Sequence, residues 1–547
     1  MSLPIGFVEK LPRRSTVFWF LAATLLGIWP ALTNRQPFFN RDTTAYVRGA
    51  DLAISKVLGS RFATDWAEDQ RRIIRPQTTV ASATMSSIQP KSDRRVVLAG
   101  RSIIYGTLLY SGEILGGMWL SIILQSLVAV YLVFIFVVRT LGLDFRYFLI
   151  TCAVLFTASS LPFFVSYLMP DVFAGFLILT FAILAASWER LGTLDRSICY
   201  AVMLFAVLSH TTHLCLVVGL TILTAAYTLL VHRSNWYRIR RLVAIVATVI
   251  VITALWELAF SLGIRRFFGI GPVHPPFVTA ALVSMLGEPA VAKVCRSNNY
   301  AVCRFQDRFP VDCETFLWSD DERIGVFTIA DVPTKQLLDA EQVRFALAIV
   351  PPNLGRFVGG ISRNTLRELT SIGLSEYSYN PVVINFLRDR LPRHHFERLT
   401  STLAARSDAY AIFGRKVLYG TTTVGVIIIA LLLCFGAGPQ TSRNTSEKWG
   451  VRRWSETTGI LFSGIVLNAA ICGGFSQILD RYEARVIWLT QLAAITGILT
   501  FISQRDISLD RNLNLAQAEQ LHVKAFEFSD PNAEACPIAL ENNSILP

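Results

Sequence analysis

Charge is what this sequence has least of. Only 16% of its 547 residues are Asp, Glu, Lys or Arg, where an ordinary soluble domain has about 25%. With 52% of residues hydrophobic and a mean hydropathy of +0.46, that shortage excludes a soluble globular chain. Acids are the scarcer sign, 39 against 51 bases, for a formal net charge of +12. A basic surplus can serve nucleic acid, but here the bases sit at the ends of apolar runs, where membrane topology puts them. No nucleic-acid partner is expected. The nine cysteines are scattered and none pairs as CxxC, so they indicate no zinc site. Internal repeats are also lacking, which counts against a transporter built from inverted repeats.

What the chain does have is apolar runs. About 20 apolar residues cross the hydrocarbon core, and by that measure ten spans are expected, near 15–33, 112–138, 146–165, 171–188, 197–209, 214–231, 242–262, 417–436, 457–475 and 485–503. Arg139 and Arg146, Arg190 and Arg196, Arg233 to Arg241, and Arg443 to Arg453 then fall on one side. The short loops opposite, around 160–170 and 210–213, carry no Lys or Arg. That asymmetry puts both termini in the cytoplasm. The first run also has the plan of a signal peptide, but no small-x-small site follows it, so it is read as a retained helix.

The expected fold class is therefore an all-α polytopic membrane protein of about ten transmembrane helices. Residues 1–262 form a module of seven spans with a long first outer loop at 34–111. A mainly helical outer segment, 263–416, separates it from the last three spans in 417–503, and 504–547 is a cytoplasmic tail. In the first loop Tyr46, Val47, Ala50, Ala53, Ile54, Val57 and Leu58 recur at three- and four-residue steps, which predicts an amphipathic helix from Thr44 to Leu58. The Ser- and Thr-rich stretch 76–95 has no apolar period and reads as a mobile loop. In the tail, 513–521 reads as a short helix.

Polar residues collect at the outer ends of the spans. Asn40-Arg41-Asp42-Thr43-Thr44-Ala45-Tyr46 follows the first span directly. A carboxylate there can act as a general base or a metal ligand, or it can simply cap the helix after it. Arg41 and Tyr46 flank it as substrate-binding candidates. Asp171, in Leu168-Met169-Pro170-Asp171, lies at the same level, where Pro and Asp also commonly start a helix. His210 and His213 are spaced to share one helix face and suit a metal or a phosphate, or they bond only to their own turn. Asp480-Arg481-Tyr482-Glu483-Ala484-Arg485 puts two arginines into an outer loop against the charge rule. Phosphate binding by Arg481 and Arg485, beside Tyr482, would explain that, and so would a local salt-bridge cluster. Arg101-Ser102 and Arg265-Arg266 sit at outer span ends, where they hold lipid phosphates or snorkel. Glu113 and Glu257 are ionisable groups near span ends. Cys295 and Cys303 suit a local disulfide, with Cys313 as an alternative partner or a free thiol.

An acidic residue directly after the first span, a long first outer loop and a large outer segment after span seven together resemble the GT-C superfamily of membrane glycosyltransferases. That group includes protein O-mannosyltransferases, lipid A aminoarabinose transferases and oligosaccharyltransferase catalytic subunits. The motif resemblance is confined to Asn40 to Tyr46 and, loosely, Pro170-Asp171; 295–303, 316–319 and 480–485 look like signatures of a narrower bacterial branch. The resemblance implies transfer of a sugar, with inversion, from a polyprenyl-phosphate donor to an envelope acceptor at the periplasmic face of the bacterial inner membrane. It gives Asp42 the role of catalytic base or metal ligand. The expected partners are a polyprenyl-phosphate-linked sugar and membrane lipid, with no certain cofactor and a divalent metal left open. Where many members have two adjacent acids, Asp42 is followed by threonines, and the Trp-Trp-Asp signature of N-glycosylation is absent. The alternative is a transporter or flippase for a lipid-linked or anionic solute. It requires charges deep in the spans and helices broken at the midplane, whereas most runs here are uniformly apolar.

Overall fold

In lipid a backbone must satisfy its own polar groups, so apolar runs of this length become helices. The computed structural model describes residues 13–66, 98–231, 236–436 and 445–527, so the expected loop at 76–95 lies outside them. Among the described residues the secondary structure is helical, with two isolated β-bridges, Phe38 to Tyr167 and Leu98 to Val273.

Helix α1 (Arg13–Gly27) is followed by a short Trp29–Asn34 helix that restarts at Pro30. Helices α2 (Thr43–Leu58) and α3 (Ile103–Gly116) pack on each other before the long helices begin. The bundle continues as α4 (Trp119–Phe134), α5 (Phe145–Ala158), α6 (Val172–Ser187), α7 (Thr193–Ser209), α8 (Thr211–Val231) and α9 (Trp236–Phe268). After several short helices come α10 (Leu354–Thr370), α11 (Arg393–Leu399), α12 (Tyr419–Gly436), α13 (Thr445–Phe475) and α14 (Asp480–Glu527).

Among the described residues seven helices are long and apolar enough to cross a membrane, and up to eight if the bent pair Phe277–Leu286 and Glu288–Ser297 is one span. They match seven of the ten expected spans, and the chain is a multi-pass membrane protein. The other three expected spans fall on α1, α5 and α7, which have 15, 14 and 17 residues. At 1.5 Å per residue, a 14-residue helix reaches about 21 Å of a core roughly 30 Å thick. Expected span 112–138 is broken. Gly117 and Met118 both take positive φ and end α3, so the crossing segment starts at Trp119 and Glu113 belongs to α3. The tail helix expected at 513–521 is instead the uninterrupted continuation of α14.

Helix α6 is the centre of the bundle, 78% buried over its span, while α8, α9 and α12 are 22% buried and present apolar side chains outward. Two apolar cores result. The main one joins the bundle to Ile372, Leu374, Tyr377, Leu387, Leu399 and Tyr410. A second is built within Val273 to Ile349. The segment 263–416 thus divides between the two.

Candidate functional site

The site is assembled where the loop after α1 meets the turn before α6. Phe38 N–H donates to the Ser166 carbonyl at 3.0 Å and Leu168 N–H to the Phe38 carbonyl at 2.9 Å. The Thr43 hydroxyl donates to the Leu168 carbonyl at 3.0 Å and accepts from Asn40 N–H at 2.8 Å. These bonds fix Asn40 to Tyr46 against Pro170-Asp171. Neither aspartate caps its helix: Asp42 and Asp171 both precede helical turns with no side-chain cap bond. Their carboxylates go to arginines instead.

Asp42 Oδ1 accepts from Arg101 Nη2 at 2.6 Å, with both side chains about a quarter exposed, 29% and 24%. Arg101 is carried to it by α3, which Ser102 caps by accepting from Tyr105 N–H. Gly106 makes the approach feasible, since a Cβ there would lie 2.2 Å from the Tyr46 carbonyl oxygen. Burial works against the Arg101 charge, but Asp42 and Tyr46 outweigh it and raise its pKa.

Asp171 is buried and faces Arg485 Nη1 at 3.3 Å and Arg481 Nε at 3.7 Å. Arg481 also reaches Glu376 at 4.0 Å and lies 5.2 Å over the Tyr482 ring. Arg485 is closed in: it donates to Asn468 Oδ1 at 2.9 Å, contacts Cys472 Sγ and stacks 5.3 Å from the same ring. The buried Nε of Arg481, although it faces Asp171, has no hydrogen-bond partner among the described residues. The ion pairs of Arg481 and Arg485 thus run to Asp171 and Glu376 in other segments, not to the acids of their own loop, and one guanidinium is left incompletely satisfied.

Tyr46 lies between the two ion groups. Burial pushes its phenol up, Arg101 pulls it down, and Asp42, Asp171 and Arg481 all act on it. Its ring meets Tyr105 edge-on at 5.3 Å. His210 also belongs here. Burial, then His213 and the charges of Arg485, Arg101 and Arg481, hold its imidazole well below the usual range, so it is neutral at pH 7. The two histidines do not share a helix face, because His210 is the break between α7 and α8. His210 Nδ1 bonds Thr212, and His213 Nδ1 donates to the Ala206 carbonyl at 2.7 Å. Arg41 lies 5.7 Å over the Phe386 ring.

Glu376 was not legible as a site residue. It accepts from Asn40 Nδ2 at 3.0 Å across 336 residues. Its only signal is a lone acid in the tyrosine-rich run Ser375-Glu376-Tyr377-Ser378-Tyr379. Cys295 and Cys303 form a disulfide with Cα atoms 5.6 Å apart, and Cys313 is a buried free thiol. Metal-ligating side chains gather elsewhere: Glu113, His394 and His395 bring their ligand atoms within 4.8 Å of one another. A cavity of about 580 Å³ between α8, α9, α12 and α13, lined by Thr224, Leu242, Val426 and Glu456, holds none of the candidate residues.

No protein-family model matches the sequence, and no curated protein matches it. Among solved structures the chain is similar to ArnT from Cupriavidus metallidurans. In the form bound to undecaprenyl phosphate, identity is 16% and TM-score 0.32, over 90% of this chain and 78% of that one. The apo form gives 16% and 0.31, over 89% and 77%. Superposition that loose carries no assignment of activity.

Proposed function

We propose that the protein is an inverting glycosyltransferase that moves a sugar from a polyprenyl-phosphate donor to an envelope acceptor at the periplasmic face of the bacterial inner membrane. The observation that carries this reading is the partly exposed Asp42–Arg101 pair, which shares the buried Tyr46 with Arg481, whose guanidinium is incompletely satisfied. A carboxylate and two cations at the mouth of an apolar bundle suit a reaction in which a hydroxyl loses a proton while a phosphate departs.

Arg101 engages Asp42 Oδ1. An arriving phosphate competes for Arg101, with Arg481 as its second cation, and the exchange frees the carboxylate for the acceptor. Asp42 takes the proton of the acceptor hydroxyl as its oxygen attacks the anomeric carbon. The carbon–oxygen bond to phosphate breaks, and the lipid phosphate leaves with the electron pair. Arg101 and Arg481 stabilise the charge that grows on it. Arg485 and Asp171, buried together, hold Arg481 in place. Tyr46 and His210 line the space between, the neutral imidazole offering hydrogen bonds without adding charge.

The test is transfer of radiolabelled sugar from polyprenyl phosphate to cell-envelope acceptors by protein in lipid vesicles. Asp42→Asn is expected to lose at least a hundredfold, in the range for removal of a positioned general base. Full activity in Asp42→Asn sinks the mechanism. A donor that binds but is never consumed points to a flippase.

A further inference from the structure

The cluster at Glu113 plays no part in that chemistry, yet it is built from well-separated pieces of the chain. Glu113 lies in the last turn of α3, and His394 and His395 in the first turn of α11. His395 Nε2 sits 2.9 Å from Glu113 Oε1 and 3.1 Å from Oε2, across 282 residues. His394 Nε2 lies 3.5 Å from the same Oε1. In a tetrahedral zinc site with bonds near 2.0–2.1 Å, neighbouring ligand atoms stand about 3.3 Å apart. The observed spacings bracket that edge.

Two further features fit a metal. The ring nitrogen of His394 that turns from Glu113, Nδ1, faces Asp65 Oδ2 at 3.9 Å. A metal-bound histidine commonly donates its other ring N–H to a carboxylate; at 3.9 Å the exposed Asp65 carboxylate is an ionic neighbour of that nitrogen and not a hydrogen-bond acceptor. His395 is buried, with the Phe39 ring at 5.4 Å and the Trp66 ring at 5.7 Å, whereas the His394 side chain is 46% exposed. The site thus has a dry side that fixes two ligands and a wet side where a water can complete the set. Two imidazoles and one carboxylate match zinc better than calcium or magnesium, which take mainly oxygen ligands.

We infer that Glu113, His394 and His395 bind one zinc ion that clamps α3 to α11. Helix α3 carries Arg101 just before its first turn, so the ion pins the helix that presents Arg101 to Asp42. It also ties Arg393–Leu399, in the outer half of the chain, to the helices flanking the site.

The experiment is metal analysis and zinc-dependent thermal melting of the full chain in detergent, purified through a histidine-free tag and stripped with chelator. Zinc alone is the probe. Wild type is expected to take up about one zinc per chain at micromolar concentration and to melt higher with it. His394→Ala, at a half-exposed position, is expected to weaken zinc at least tenfold. Glu113→Gln and His394→Ala/His395→Asn are expected to remove binding. The inference is overturned if stripped wild type takes up no zinc, or if His394→Ala and the double variant bind it as well as wild type does.

Discussion

Asp42 and Asp171 are both ion-paired, but only one can be removed without disturbing the fold. Asp171 is buried against Arg481 and Arg485, so Asp171→Asn leaves guanidinium charge uncompensated inside the protein, a change that costs about 3–5 kcal/mol. Its expected outcome is a marked fall in melting temperature and yield, so lost activity there cannot by itself mark catalysis. The Asp42–Arg101 pair is partly exposed, and such pairs contribute about 0–1 kcal/mol; Asp42→Asn should melt with wild type. A thermal melt of both variants in detergent checks the contrast. A third carboxylate carries a pH signature. Glu368, in α10, is fully buried and accepts from Leu479 N–H at 3.2 Å. Burial pushes its carboxyl from 4.5 up to about 7, against the pull of the Leu479 bond and Arg485. Between those values the folded protein keeps a proton that the unfolded chain has released, so stability is fully present below about pH 4.5 and falls toward pH 7. Glu368→Gln is neutral throughout. Its melting temperature relative to wild type should climb as pH rises from 5 to 8, and parallel curves would mean that Glu368 does not hold the proton.

Helix packing explains both what was legible and what was not. Long apolar runs declare themselves, because nothing but a helix satisfies their backbone in lipid; hence seven expected spans fall on long helices. The amphipathic stretch after Asp42 forms α2 for the same periodic reason, with Tyr46, Val47 and Ala50 buried. The α3–α4 break was hidden, since Ile103 to Val138 is apolar on both sides of Gly117 and hydropathy does not register a positive φ. Asp42 stood out by position next to a span. Its partner Arg101 reads in the sequence only as an interfacial arginine, because the pairing depends on how α3 crosses α2. Glu376 and the ligands Glu113, His394 and His395 come together through tertiary packing across 282 to 336 residues, which no local pattern encodes. The α2–α3 crossing is itself testable. A side chain at Gly106 would strike the Tyr46 backbone, and backbone cannot move aside as a flexible side-chain tip can. Gly106→Val should push the helices apart and separate Arg101 from Asp42. Transfer activity should drop at least tenfold while the long spans still insert, read as membrane-extracted yield beside activity; unchanged activity would mean the close crossing does not position the pair.

At the scale of the molecule, 263–416 is not one unit. Ile372 to Tyr410 is packed into the main core, where Phe38 meets Tyr377 and Tyr410 edge-on at 4.9 and 5.3 Å. These residues supply Glu376 and the two histidines to the site and its neighbourhood. Val273 to Ile349 closes on itself around Val283, Val291, Phe316, Phe327 and Phe345, and α10 lies between, against α13. A core that small lacks the buried area of a full domain, and the Cys295–Cys303 disulfide is a covalent support inside it. Its loop has a sequence separation of 8, for which chain-entropy estimates give about 2–3 kcal/mol. Removing both cysteines, to keep Cys303 from pairing with Cys313, should therefore act locally. In Cys295→Ser/Cys303→Ser, hydrogen exchange should speed up in peptides from 277–349. Peptides from α6, α14 and 372–410 should keep wild-type protection, and transfer activity should fall far less than with Asp42→Asn. Loss of protection spreading into α6 or 372–410 would show instead that the two cores unfold as one, and that the smaller one helps to hold the site.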